Sequence, residues 1–288
     1  MAIKPALYSI PYPGTSAEQA DIKSSGFTTA ICWALHVDGQ GNLSYNDTQI
    51  VTNGAYVGDP SWPGFLAGLK TGTVDTILFS IGGWDVGDFP NIQALINQYG
   101  TGSANPLYQN LAALLSAIPS IDGLDYDDET LYNQDTTVQL SQMAATIGYA
   151  RITFCPYTMQ SFWVGCLTSL QTSNPGLVTG FNLQCYAGGA GNDPETWING
   201  VTGIPGIDPQ SFIYPGLWCC HQATCVGHDR NNACPSSIQN FFASWKPDGL
   251  PGGFIWNYGD IQTWVSKTNC SAAPTTAAYA KAIVTGLS

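Results

Sequence analysis

Eight short apolar runs, rich in β-branched and aromatic residues, recur along the 288-residue chain, with helix-like stretches between them. The strand-like runs are residues 6–11, 28–35, 76–81, 123–127, 151–155, 180–186, 212–217 and 253–257. The helix-like stretches are residues 17–24, 63–70, 106–117, 136–147, 161–170, 194–199, 236–245 and 275–285. Two of these open on a capping side chain followed by proline, Asn105-Pro106 and Asp193-Pro194, the chemistry favoured where a helix begins. Eight strand–helix units in one alternating series predict an α/β chain folded as a single (β/α)8 TIM barrel. The strands are apolar on both faces, as a parallel sheet covered by helices requires. No linker, charge block or low-complexity segment interrupts residues 1–288, so one domain is expected. About 35 residues separate the seventh and eighth predicted strands, too few for an inserted α+β domain of about 50 residues.

In such a barrel the reactive site lies where the C-terminal ends of the strands meet the following loops. Polar and aromatic residues there are candidates, and one run dominates: Ile121-Asp122-Gly123-Leu124-Asp125-Tyr126-Asp127-Asp128-Glu129. Asp125, Asp127 and Glu129 are spaced by two, which puts them on one face of a strand. Carboxylates that close cannot all ionise at low cost, so at least one stays protonated near neutral pH and can serve as a general acid. A solvated loop fits poorly with the interleaved Ile121, Leu124 and Tyr126. A Ca²⁺ site wants its ligands on a flexible turn. Spacing alone leaves catalytic, structural and metal-binding readings open. By parity Asp122 and Asp128 lie off the Asp125 face; Asp122 is expected to stabilise the start of the strand.

The segment Asp122-Gly-Leu-Asp125-Tyr-Asp127-Asp-Glu129 resembles the D-G-x-D-x-D-x-E signature of glycoside hydrolase family 18, which includes chitinases and endo-β-N-acetylglucosaminidases. Ser80-Ile81-Gly82-Gly83-Trp84 is similar to the family's S-x-G-G on the third strand. Gln184-Cys185-Tyr186 falls where the family carries a catalytic Tyr, and Trp256 where it places a Trp under the sugar. These matches span residues 80 to 256 in the family's order.

The resemblance implies a retaining, substrate-assisted reaction, for which family 18 is a known exception among glycosidases. Glu129 would protonate the leaving oxygen and later deprotonate water. Asp127 would orient the 2-acetamido group, Asp125 would tune Asp127, and Tyr186 would donate to the acetamide oxygen. Trp256, Gln184, Trp84 and Ser80 would contact substrate; for Ser80 a hydrogen bond to the buried end of the acidic row and simple packing beside Gly82-Gly83 both stand. Trp33, Trp163, Trp197 and Trp218 also fall near strand ends, where a Trp can serve as core or as sugar platform. One departure is notable: Tyr186 is followed by Ala187-Gly188-Gly189, where many chitinases have Asp or Asn. The expected activity is endo-cleavage of β-1,4 bonds next to N-acetylglucosamine, in chitin or in the chitobiose core of N-glycans. A non-catalytic glycan-binding or inhibitor protein on the same barrel is the reading of another class.

Composition agrees with a neutral, hydroxyl-rich ligand: charged residues are only 10% and aromatic residues 12%. Aromatic faces cover the apolar faces of sugar rings while amides bond their hydroxyls. The net charge of −12 argues against nucleic acid and anionic membranes as partners, because phosphate binding needs clustered Lys and Arg. Nine cysteines, four of them within residues 219–234, point to an oxidising compartment and disulfides. His221 and His228 lie in that cluster, so zinc is the alternative there. No metal or cofactor is expected, and a monomer is. Residues 1–12 lack the apolar core of a signal peptide, so export with the signal already removed is expected.

Overall fold

The computed structural model describes residues 2–187, 192–219, 234–264, 270 and 273–288. The strands are β1 (Lys4–Tyr8), β2 (Thr29–Val37), β3 (Leu43–Tyr45), β4 (Thr48–Thr52), β5 (Ala55–Tyr56), β6 (Thr76–Gly83), β7 (Gly123–Asp128), β8 (Arg151–Phe154), β9 (Val178–Gln184), β10 (Ile213–Trp218) and β11 (Gly252–Trp256). The helices are α1 (Ser16–Ser24), α2 (Trp62–Leu69), α3 (Asp88–Tyr99), α4 (Pro106–Ala117), α5 (Gln134–Ile147), α6 (Gln160–Ser173), α7 (Pro194–Val201), α8 (Pro235–Ser244), α9 (Tyr258–Trp264) and α10 (Thr276–Leu287).

Eight strands form a closed parallel ring in the order β1-β2-β6-β7-β8-β9-β10-β11, and β11 returns to β1. Lys4 to Leu7 pair with Gly252 to Ile255 at the closure. This is the expected (β/α)8 barrel, with all eight predicted strands in it. The antiparallel strands β3, β4 and β5 extend the sheet outward from the end of β2 and were not expected. Helix α3 was missed too, although Phe89, Ile92, Leu95 and Ile96 bury one face at helical spacing. Its Pro90 lies in the first turn, where a proline is tolerated. The first predicted strand stops at Tyr8 rather than continuing to residue 11, because Ser9 takes a positive φ of 62°.

The predicted caps are present: the Asn105 side chain accepts from the Leu107 amide, and that of Asp193 from the Thr196 amide. Most of the apolar mass lies between ring and helices, with Leu7, Ile77, Leu124, Ile152, Phe181 and Ile255 fully buried there. A smaller cluster of Ala6, Tyr8, Ile31, Leu78, Cys155, Tyr186 and Phe254 fills the inside of the ring. Cys234, beside the start of α8, is disulfide-bonded to Cys270, so it is tied to the segment before α10 rather than within residues 219–234. Cys32, Cys155, Cys166 and Cys219 are buried thiols. Cys220, His221, Cys225 and His228 lie outside the described residues, as do Gly188 and Gly189.

Candidate active site

The acidic row follows from strand parity. On β7 the inward residues are Asp125 and Asp127, and Glu129 comes one residue past the strand end. Asp125 is fully buried. One of its oxygens accepts from Tyr8 Oη at 3.0 Å and Ser80 Oγ at 2.6 Å; the other accepts from Thr153 Oγ1 at 2.5 Å and Asn182 Nδ2 at 3.0 Å. The four donors come from β1, β6, β8 and β9 and fill the carboxylate's acceptor capacity. Burial raises the Asp125 carboxyl above its ordinary range, and these four hydrogen bonds oppose that.

Asp127 accepts from Gln184 Nε2 at 2.8 Å and from Trp33 Nε1 at 3.1 Å. Burial pushes its carboxyl well above the usual range, and the Glu129 and Asp125 carboxylates push it further. Glu129 is raised chiefly by burial, while Gln184, whose Nε2 lies 3.1 Å from the Glu129 carboxylate, opposes the rise. All three carboxyls of the row are therefore raised, by burial first, with mutual repulsion of the row adding to it at Asp127.

The other two aspartates of the run have separate work. Asp122 accepts the Ile77 amide at 2.7 Å and pairs with Lys70 at 2.7 Å, tying the start of β7 to β6 and α2. Asp128, 1% exposed, accepts the amides of Thr130, Leu131 and Tyr132 at 2.8–3.0 Å and so pins the loop that carries Glu129.

Above the row lies a cavity of about 500 Å³ lined by Asp127, Glu129, Gln184, Tyr186, Trp33, Trp84, Trp218 and Trp256, among others. Trp256 meets Trp33 edge-on at 4.5 Å and lies nearly parallel to Tyr186 at 6.4 Å. The Tyr186 phenol is held well above its ordinary value by burial, with Cys155, Asp127 and Glu129 adding to it, so its hydroxyl keeps its proton and can donate a hydrogen bond. Trp84 stands 78% exposed at the rim. Trp163 and Trp197 are buried in the helix–sheet core and line no part of this cavity.

Two of the expected substrate contacts are engaged with the acidic row, as one of the two readings of Ser80 had it. Ser80 is fully buried and lies outside the cavity lining; its hydroxyl belongs to Asp125. Gln184 does line the cavity, but its amide is engaged with Asp127 and Glu129. The Gly82-Gly83 pair has a steric reason: a Cβ on Gly82, at φ +109°, would sit 2.2 Å from the Asp127 carbonyl oxygen. Sequence reasoning missed Tyr8, Thr153 and Asn182 around Asp125, and did not link Trp33, read as core or sugar platform, to Asp127. It also passed over His36, which lines the cavity and sits 2.8 Å from Asp88, a contact that raises its pKa. The one signal for these was inward parity at mid-strand positions, which lone hydroxyls and amides do not advertise.

No family model and no curated protein sequence matches the chain. Solved structures match it throughout. A family 18 chitinase from Cycas revoluta, solved with allosamidin, superposes with a TM-score of 0.62 at 13% identity, covering 96% of this chain and 99% of that one. A chitinase-like agglutinin from Robinia pseudoacacia gives 0.61 at 13%, covering 96% and 98%. A family 18 N-acetylglucosaminidase from Paenibacillus barengoltzii gives 0.61 at 14%, covering 99% and 100%. At these identities the likeness is one of fold: the molecule is a (β/α)8 barrel of the kind found in family 18 enzymes and chitinase-like proteins. The motifs in the sequence resemble the same family.

Proposed function

We propose that this protein is a secreted, monomeric glycoside hydrolase of family 18, its whole chain one catalytic domain, that cuts β-1,4 bonds next to N-acetylglucosamine, with chitin as substrate. The observation that carries this reading is the row itself. Asp125 is locked by four donors, Asp127 is held by Trp33 and Gln184, and Glu129 opens into an aromatic cavity. A sugar in the cavity rests on Trp256, with its 2-acetamido group over Asp127 and Tyr186. The acetamide oxygen attacks the anomeric carbon while Glu129 protonates the leaving oxygen. Asp127 accepts the acetamide N–H and stabilises the cationic ring that forms, and Tyr186 donates to the acetamide oxygen. Water then opens the ring, losing its proton to Glu129. Two displacements at one carbon retain its configuration. The exposed rim at Trp84 suits a long polymer bound along its length, hence endo-cleavage.

One neighbour is an N-acetylglucosaminidase, so this barrel is not tied to chitin alone; the second reading is attack on the chitobiose core of N-glycans, which offers the same 2-acetamido group. Products separate the two: release of intact glycans from a high-mannose glycoprotein, with chitin oligomers untouched, would select the second. Another neighbour is an agglutinin, so the fold alone does not make an enzyme; Glu129 and its supporting groups favour catalysis here. The deciding experiment is Glu129→Gln on labelled N-acetylglucosamine oligomers. Turnover should fall by about 10²–10⁴, the typical worth of a general acid, with circular dichroism and oligomer binding kept. Unchanged turnover would remove the mechanism.

A further inference from the structure

The opposite end of the barrel holds a second cavity, of about 260 Å³, at the N-terminal ends of the strands. Lys4 and Arg151 line it, and they are the first residues of β1 and β8. Both share the inward parity of the residue two places on, Ala6 and Thr153, which line the same cavity. The chain has 8 Lys and Arg against 20 Asp and Glu, yet two of those cations line one mouth, and among the described residues no carboxylate lines it.

Neither cation is neutralised by a carboxylate among the described residues, where the ion pairs are His36–Asp88 and Lys70–Asp122. Arg151 donates to the Thr76 hydroxyl at a long 3.4 Å. Tyr214 also lines the cavity, and the Arg151 charge acts on its phenol against the effect of burial. The space is built by glycines: a Cβ on Gly123 would fall 2.5 Å from Arg151 Cγ, and one on Gly180 would fall 2.8 Å from the Tyr214 ring. The roof is donor-saturated toward the acidic row, because Thr153 and Asn182 give hydrogen bonds to Asp125.

From this convergence we propose that the N-terminal mouth of the barrel binds a small tetrahedral oxyanion, phosphate or sulfate, between Lys4 and Arg151. A lysine, an arginine and a tyrosine lining one recess bring an ammonium, a planar guanidinium fork and a phenol to it with no carboxylate among the described lining residues, which is the chemistry oxyanions select. The recess holds one such ion with a few waters, each taking about 30 Å³, and is too small for a polyanionic chain. The site is independent of the reaction proposed at the other end.

Isothermal titration of the full chain with inorganic phosphate, and separately with sulfate, at fixed ionic strength in sodium chloride tests this. One saturable site is expected. Lys4→Met and Arg151→Met should each weaken it by about tenfold or more, while Glu129→Gln should bind phosphate as the parent does. No saturable binding, or binding unchanged in the variants, overturns the proposal. Lys4 is exposed at the strand start, so Lys4→Met carries the test if Arg151→Met fails to fold.

Discussion

Gln184 is the residue on which the acid–base balance of the site turns. Its side-chain N–H groups face two carboxylates, Asp127 at 2.8 Å and Glu129 at 3.1 Å. A donor of this kind favours the ionised form of its acceptor and therefore lowers its pKa. Burial drives Glu129 the other way and prevails. Removing the donor should let the pKa rise further, so the acid form persists to higher pH. In Gln184→Leu the alkaline limb of the kcat/KM profile is expected to move to higher pH, together with a lower kcat. A pH–rate series on oligomers measures it, and a limb moved to lower pH would contradict the assigned hydrogen bonds. The three carboxylates were legible because a period of two on an apolar strand has few other readings. Their partners were not. Tyr8, Thr153 and Asn182 are single polar residues at inward positions far apart in sequence, and only ring closure brings them to Asp125.

At the scale of an element, β7 and the loop after it set the position of Glu129, the proposed proton donor. Asp128 points away from the acidic row, as parity predicts, yet it is buried and accepts three consecutive amides. Those contacts fix the turn on which Glu129 sits. Asp128→Ala leaves three buried or half-buried amides without an acceptor, a loss of about 1–3 kcal/mol in unfolding free energy. Thermal or urea denaturation should show that loss, and kcat should fall more than KM rises, since the loop no longer holds Glu129. Helices and strands of the ring were readable from period and caps, as at Asn105 and Asp193. The β3–β5 extension was not, because Leu43-Ser44-Tyr45 and the short runs after it are too brief to show a period. Helix α3 carried a readable apolar face at Phe89, Ile92 and Leu95, which the neighbouring Asn and Gln residues obscured.

For the molecule as a whole, ring closure depends on β11 meeting β1, and the segments flanking β11 are tied by the Cys234–Cys270 disulfide. The bridge spans a sequence separation of 36 residues. In the chain-entropy account, closing a loop of that length in the unfolded state is worth about 4 kcal/mol. Cys234→Ser with Cys270→Ser should lose up to that much, read as a lower urea midpoint with a steeper slope, because the unbridged unfolded chain exposes more surface. Stability that does not change would place the bridge's role elsewhere. Cysteine count alone announced disulfides but not this partner, because spacing in sequence does not tell which loops meet.

Asp125 is also a mechanical part. Neighbouring strands are already stitched by their ladders, but this one carboxylate on β7 is gripped by its neighbours β6 and β8 and also by β9 and β1 further round the ring. It acts as a keystone whose removal loosens four staves at once. Losing Glu129 would cost the barrel little, whereas losing Asp125 would leave four buried donors without an acceptor.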